Sequence, residues 1–170
     1  MQVRLAASAD ALAIAEVHVR SWQAAYETVL PAEYLNSLSV GSREAMWREA
    51  ISRGSPEILI IETAGELLGF IAFGACRDED TPIGQAEIWA LYLAPSHWSQ
   101  GLGRRLWMRA RERLEHQQYK SVTLWVLSDN ARAIRFYEAA GFRLEPSSFK
   151  TLQFGAKDLT EVRYVAALGC

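Results

Sequence analysis

Residues 87–105 read Glu87-Ile88-Trp89-Ala90-Leu91-Tyr92-Leu93-Ala94-Pro95-Ser96-His97-Trp98-Ser99-Gln100-Gly101-Leu102-Gly103-Arg104-Arg105. The apolar run to Leu93 reads as a strand, Pro95 to Gln100 as a loop, and Gly101-x-Gly103 as the start of a helix. Glycines at such a junction let backbone N–H groups approach a ligand with no Cβ in the way. A helix start has unpaired N–H groups and a partial positive charge, a setting suited to phosphate. Arg104 and Arg105 put two cations in that first turn, where each opposes the helix dipole by ~0.3–1 kcal/mol when exposed. A bound polyanion reverses the sign. The stretch is not a P-loop, since no Gly-Lys-Ser/Thr follows. It also departs from a dinucleotide fingerprint: Leu106 stands at the third glycine, and no opening βαβ unit precedes it.

Working outward, Val122 to Leu127 reads as a strand, Asn130 to Ala140 as a helix ended by Gly141, and 142–144, 150–154 and 161–167 as strands. Toward the N-terminus, Gln2 to Leu5 reads as a strand. Ser8 is placed to cap a helix running to about Glu27, in which Leu12, Ala15, Val19, Trp22 and Tyr26 recur at spacings of three and four. A short helix is expected over Ala32 to Leu38, interrupted at Gly41-Ser42, with another continuing to Arg53. Ile58-Leu59-Ile60-Ile61 and Leu67 to Phe73 flank a turn and read as a hairpin. Strand–helix–strand–helix–strand after a hairpin implies a mixed α/β sheet with helices on its faces.

The 170 residues are 50% apolar and 22% charged, as expected for one folded domain over 1–170. Cys76 and Cys170 lie too far apart for a cysteine-spaced zinc site, and His18, His97 and His116 lack ligand spacing, so no metal is expected. Cys170 is expected to be an exposed thiol. No apolar run suits a membrane span and no cleavable leader is visible, so a cytoplasmic protein is expected. The net charge of −2 argues against a nucleic-acid binder. The charge is uneven: residues 1–85 have 6 Lys/Arg and 12 Asp/Glu, and residues 86–170 have 12 and 8.

Residues 128–142 add a second motif. Asn130, Ala133, Phe136, Tyr137, Gly141 and Phe142 fill the pattern Asn-x-x-Ala-x-x-Phe-Tyr-x-x-x-Gly-Phe. Together with Gly101 and Gly103, these residues resemble the GNAT superfamily of acyl-CoA-dependent N-acetyltransferases. Trp98 stands where that family usually has Gln or Arg. Val19 to Tyr26 is similar to one bacterial branch. The resemblance runs over almost the whole chain and implies a GNAT-like, mostly antiparallel sheet with helices on both faces.

The resemblance also implies roles. Acetyl-CoA, as co-substrate, would lie between the strands at 86–93 and 122–127, its pantetheine arm pairing with Leu91, Tyr92 and Leu93. Its pyrophosphate would meet Ser99, Gln100, Gly101, Leu102, Gly103, Arg104 and Arg105, and Asn130 would also contact it. The Leu93 N–H would polarise the thioester carbonyl. Glu87, 14 positions before Gly101, would be the base, directly or through water. Tyr137 would protonate the leaving thiolate. The competing readings are a salt-bridged strand glutamate for Glu87 and a core aromatic for Tyr137.

Trp22, Tyr26 and Trp89 are candidates for an acceptor pocket. The acceptor is an amine, either small or on a peptide, and a homodimer is compatible with this reading. The acidic first half, with Glu16, Glu27, Glu33, Glu44 and Glu49, suggests a cationic acceptor. The alternative class is a non-catalytic acyl-CoA sensor, which would keep the glycine cradle without the base.

Overall fold

The computed structural model describes residues 1–154 and 157–169; the expected exposure of the Cys170 thiol lies outside them. The elements in chain order are β1 (Gln2–Leu5), α1 (Ala11–Ala25), α2 (Ala32–Asn36), α3 (Val40–Arg53), β2 (Glu57–Thr63), β3 (Glu66–Ala75), β4 (Gln85–Leu93), α4 (Leu102–His116), β5 (Ser121–Leu127), α5 (Ala131–Ala139), β6 (Arg143–Phe154) and β7 (Lys157–Ala167). They form a seven-stranded sheet in the order β1-β2-β3-β4-β5-β7-β6. All pairs are antiparallel except β4 with β5.

The apolar run of β2 is continuous because both sheet faces are covered. Leu59 and Ile61 pack beneath α4 with Leu106, Trp107, Ala110 and Leu114. Ile58 and Ile60 pack beneath α1 and α3 with Ile14, Val17 and Trp47. Burying both faces puts helices on opposite sides of the sheet. No helix among the described residues is long and apolar enough to cross a membrane.

Some local expectations differ from the structure. Ser8 does not cap α1: Ser8–Asp10 forms a 3₁₀ turn in which Asp10 accepts the Ala7 N–H at 2.7 Å. Gly41-Ser42 does not break a helix. α3 starts at Val40 because Ser39 accepts the Ser42 N–H at 3.1 Å, and the pair lies in the first turn. The strands expected at 142–144 and 150–154 are one element, β6, whose register with β7 shifts between Leu144 and Phe149.

One irregularity positions the site. β3 and β4 pair Ala72 with Ala90 but Phe73 with Ile88, so Trp89 is an extra residue in β4, a β-bulge. The parallel pairing of β4 with β5 stops at Ile88 and Leu124. Beyond it β4 stays with β3 and β5 stays with β7, and the centre of the sheet opens.

Candidate active site

The opening is a cleft of about 660 Å³. Its walls are Ile88 to Leu93 of β4 and Leu124 to Leu127 of β5, its floor includes Phe136 and Tyr137 of α5, and Trp22 and Tyr26 close the α1 side.

The exposed edge of β4 is determined by strand geometry. Ala94 N–H donates to Leu68 across β3 at 2.8 Å, and backbone groups alternate in direction along a strand. The N–H groups of Leu91 and Leu93 therefore face away from β3, toward the gap. The Leu93 carbonyl is taken by the indole N–H of Trp98 at 3.0 Å. Trp98 is in turn covered by the Arg132 guanidinium, 3.8 Å from the ring centroid. Trp98 thus closes the end of the open edge, and nothing in its sequence context signalled this.

At the start of α4, Gly101 adopts φ 78°, a left-handed conformation that favours glycine. Its N–H neighbours are open: the first to reach back onto the turn is Arg105, to the Gly101 carbonyl at 3.2 Å. Leu102, Gly103 and Arg104 precede it and have no helical partner. A Cβ on Gly103 would lie 3.2 Å from the Phe136 ring, so glycine lets α4 and α5 approach closely. This cradle of free N–H groups beside an unpaired strand edge fits a phosphate-bearing chain with an amide arm.

The structure brings together Trp22, Tyr26, Trp89, Leu91, Tyr92, Leu93, Ser99, Gly103, Asn130 and Tyr137 along the cleft. Gln100, Gly101, Leu102, Arg104 and Arg105 lie outside its lining; Leu102 is core, and Gln100 and both arginines are exposed. The cations on the lining are instead Arg132 and Arg135 of α5, which sequence reasoning missed. Asn130 caps α5 by accepting the Ala133 N–H at 3.1 Å and donates to the Tyr26 hydroxyl at 3.2 Å.

Tyr137 is buried on the cleft floor. Burial, with the nearby Tyr92 and Tyr26 phenols, pushes its pKa well above that of free tyrosine, so it holds its proton at neutral pH. Glu87 is placed differently. Its carboxylate is 2% exposed and sits outside the cleft lining. Oε2 accepts the Arg77 backbone N–H at 2.9 Å and its Nε at 3.1 Å, while Oε1 is paired with Nη2. Direct contact between Glu87 and an amine in the cleft does not fit this geometry, because both oxygens are occupied by Arg77. The competing reading, a salt-bridged strand glutamate, describes the contacts.

The acidic first half contributes no carboxylate to the cleft. Glu16, Glu44 and Glu49 pair with Arg20, Arg48 and Arg53 within their own helices, and neither Glu27 nor Glu33 lines it. The lining carboxylates are Asp129 and Glu161, both from the basic half. Nor is His18 a site residue. Its Nδ1 accepts the Trp47 indole N–H at 3.1 Å, and it stacks on Tyr92 at 4.7 Å.

A model of the acetyltransferase (GNAT) family matches residues 14–142, about three quarters of the chain. The chain belongs to the GNAT family. The uncharacterized N-acetyltransferase YuaI of Bacillus subtilis is 34% identical over 137 residues, covering 81% of this chain and 77% of YuaI. The L-amino acid N-acyltransferase MnaT of Escherichia coli is 26% identical over 143 residues, covering 84% and 79% of the two chains. The structure of yncA from Salmonella typhimurium, a putative acetyltransferase solved with acetyl-CoA, superposes with a TM-score of 0.75 at 25% identity, covering 100% of this chain and 95% of that one. This GNAT protein is an N-acetyltransferase, and its mixed sheet with helices on both faces is the family fold.

Proposed function

We propose that this GNAT enzyme transfers an acetyl group from acetyl-CoA to a primary amine by direct attack within a ternary complex. The observation that carries this reading is the split between β4 and β5, which leaves a cleft lined by the open β4 edge, by Gly103 at the start of α4 and by Tyr137. The pantetheine arm would pair with the edge at Leu91 to Leu93, and the pyrophosphate would meet the N–H groups from Ser99 to Arg104. The Leu93 N–H would polarise the thioester carbonyl as a preorganised donor.

In the reaction, the amine nitrogen attacks the carbonyl carbon, the C–N bond forms and the C–S bond breaks. The electron pair leaves with sulfur, which takes a proton from Tyr137. Tyr137 suits that role because it lines the cleft and is protonated at neutral pH. Glu87, held by Arg77, can serve the amine only through water. Arg132 and Arg135 supply positive charge at the cofactor side.

Calorimetry with CoA and with dephosphorylated pantetheine tests the cradle: CoA should bind at least about tenfold more tightly, since a tenfold ratio is only ~1.4 kcal/mol. Equal affinities would remove the phosphate contact. Thiol release from acetyl-CoA across a panel of primary amines tests the transfer.

A further inference from the structure

We propose that Glu161 is the anionic group of the acceptor subsite, binding the ammonium of a primary amine with an apolar or aromatic body and taking its proton. This inference rests on the acetyl-transfer reading above and names its acceptor class. Glu161 is partly buried on β7, opposite Leu127 of β5, and its side chain lines the cleft. Trp22, Tyr26, Trp89, Trp125 and Phe154 line the same cleft. The Trp22 ring meets Tyr26 at 5.0 Å and Phe154 at 5.9 Å, so these three form one aromatic wall. A wall of this kind takes up the apolar body of a ligand.

The charges around Glu161 separate it from the other carboxylates. Glu87 is held by Arg77, and Asp78 accepts from Lys150 at 2.6 Å, Trp125 at 2.9 Å and Arg163 at 3.1 Å. Arg163, two residues along β7, is also bound to Asp80 and Glu145. Lys150 and Arg77 rest on the rings of Trp125 and Trp89, 3.8 Å and 4.2 Å from their centroids. Glu161 makes no ion pair among the described residues. The charged and titratable groups that act on it or feel it are Lys150 on β6, Arg77, Glu87 and Tyr92 from β4 and its preceding loop, and Tyr26 after α1.

Burial raises the Glu161 pKa above the usual carboxylate value, with Lys150 and Arg77 opposing the rise and Glu87 adding to it. A raised pKa makes a carboxylate a better proton acceptor. A partly buried anion beside an aromatic wall suits a ligand carrying a cation on an apolar body.

The ammonium gives one proton to Glu161, which returns it to solvent. The neutral nitrogen then attacks, and the second proton passes from nitrogen to water as the amide forms. Sulfur gains one from Tyr137, which is reprotonated from solvent. The net products are the amide, the free thiol and one proton.

The test uses 2-phenylethylamine, cationic at pH 7, and phenylhydrazine, which has a similar aromatic body and is mostly neutral there. Glu161→Gln should lower kcat/KM for 2-phenylethylamine by about 100-fold, the low end for losing a general base. It should lower that for phenylhydrazine by less than about threefold and shift the acid limb for 2-phenylethylamine from the Glu161 carboxyl to the ionisation of the amine itself. Binding of 2-phenylethylamine to the CoA-loaded protein should weaken at least tenfold in Glu161→Gln, by calorimetry and without turnover. Equal penalties for both probes, or an unshifted acid limb in Glu161→Gln, would overturn the proposal. Glu161-dependent binding with no thiol release would uphold the subsite and refute the transfer reading, whereas binding indifferent to Glu161 would refute the subsite.

Discussion

Lowering the pH from 7 to 5 should cost the folded protein about 2 kcal/mol through His18 alone. His18 is 6% exposed and enclosed by the rings of Trp22, Trp47, Phe70 and Tyr92. Burial first, and the charge of Arg43 second, push its pKa down to about 3 from the ordinary 6.5. The unfolded chain therefore takes up a proton below pH 6.5 while the native state does not. His18 imposes no penalty above that pH, and stability is lost progressively as the pH falls from 6.5 toward 3. At pH 5 the unfolded imidazole is favoured by about 1.5 pH units of protonation, and each unit is worth ~1.4 kcal/mol. Urea unfolding followed by tryptophan fluorescence, at pH 7, 6 and 5, measures this directly. His18→Leu serves as the reference. It leaves the Trp47 N–H without its acceptor, which should cost about 1–3 kcal/mol at pH 7. The stability gap between wild type and His18→Leu should then narrow by about 2 kcal/mol between pH 7 and pH 5. Carboxylates such as Asp10 and Asp78 titrate alike in both proteins and cancel. A gap that stays constant would refute the assignment of a neutral, desolvated imidazole.

Tyr137→Phe should lower kcat by about 100-fold or more, in line with losing a general acid, while CoA affinity measured by calorimetry stays within about threefold. A wild-type kcat in this variant would remove Tyr137 from the chemistry. Gly101→Ala should destabilise by about 1–2 kcal/mol because of its φ of 78°, not because of crowding, since nothing lies within 4 Å of the added Cβ. Its CoA affinity should fall as well, because the turn aims the N–H groups of Leu102 to Arg104. Unchanged CoA binding would dissociate the turn from the cradle.

Much of the fold was legible along the chain because its signals are local. The continuous apolar runs of β2, β3 and β4, the Gly101-x-Gly103 junction and the Asn130 cap each depend on neighbouring residues. They specified a mixed sheet and the order of its elements. The paired motifs also pointed to the GNAT family and to the residues that meet at the β4–β5 split. What the chain order could not decide was which charges share a surface. Arg104 and Arg105 look like phosphate ligands by position, yet the rotation of α4 turns both to solvent while Arg132 and Arg135 line the cleft. The acidic first half looked like a source of field for a cationic acceptor, but its helix glutamates point outward and several are neutralised one turn away. Glu87 sits at the expected spacing, but the loop after β3 swings Arg77 onto both of its oxygens. Glu161 carries no motif. It reaches the cleft only because β7 pairs with β5 across more than thirty positions of sequence, on the edge of β5 opposite β4. Electrostatics depends on distance in space, and only the tertiary structure converts separation along the chain into that distance.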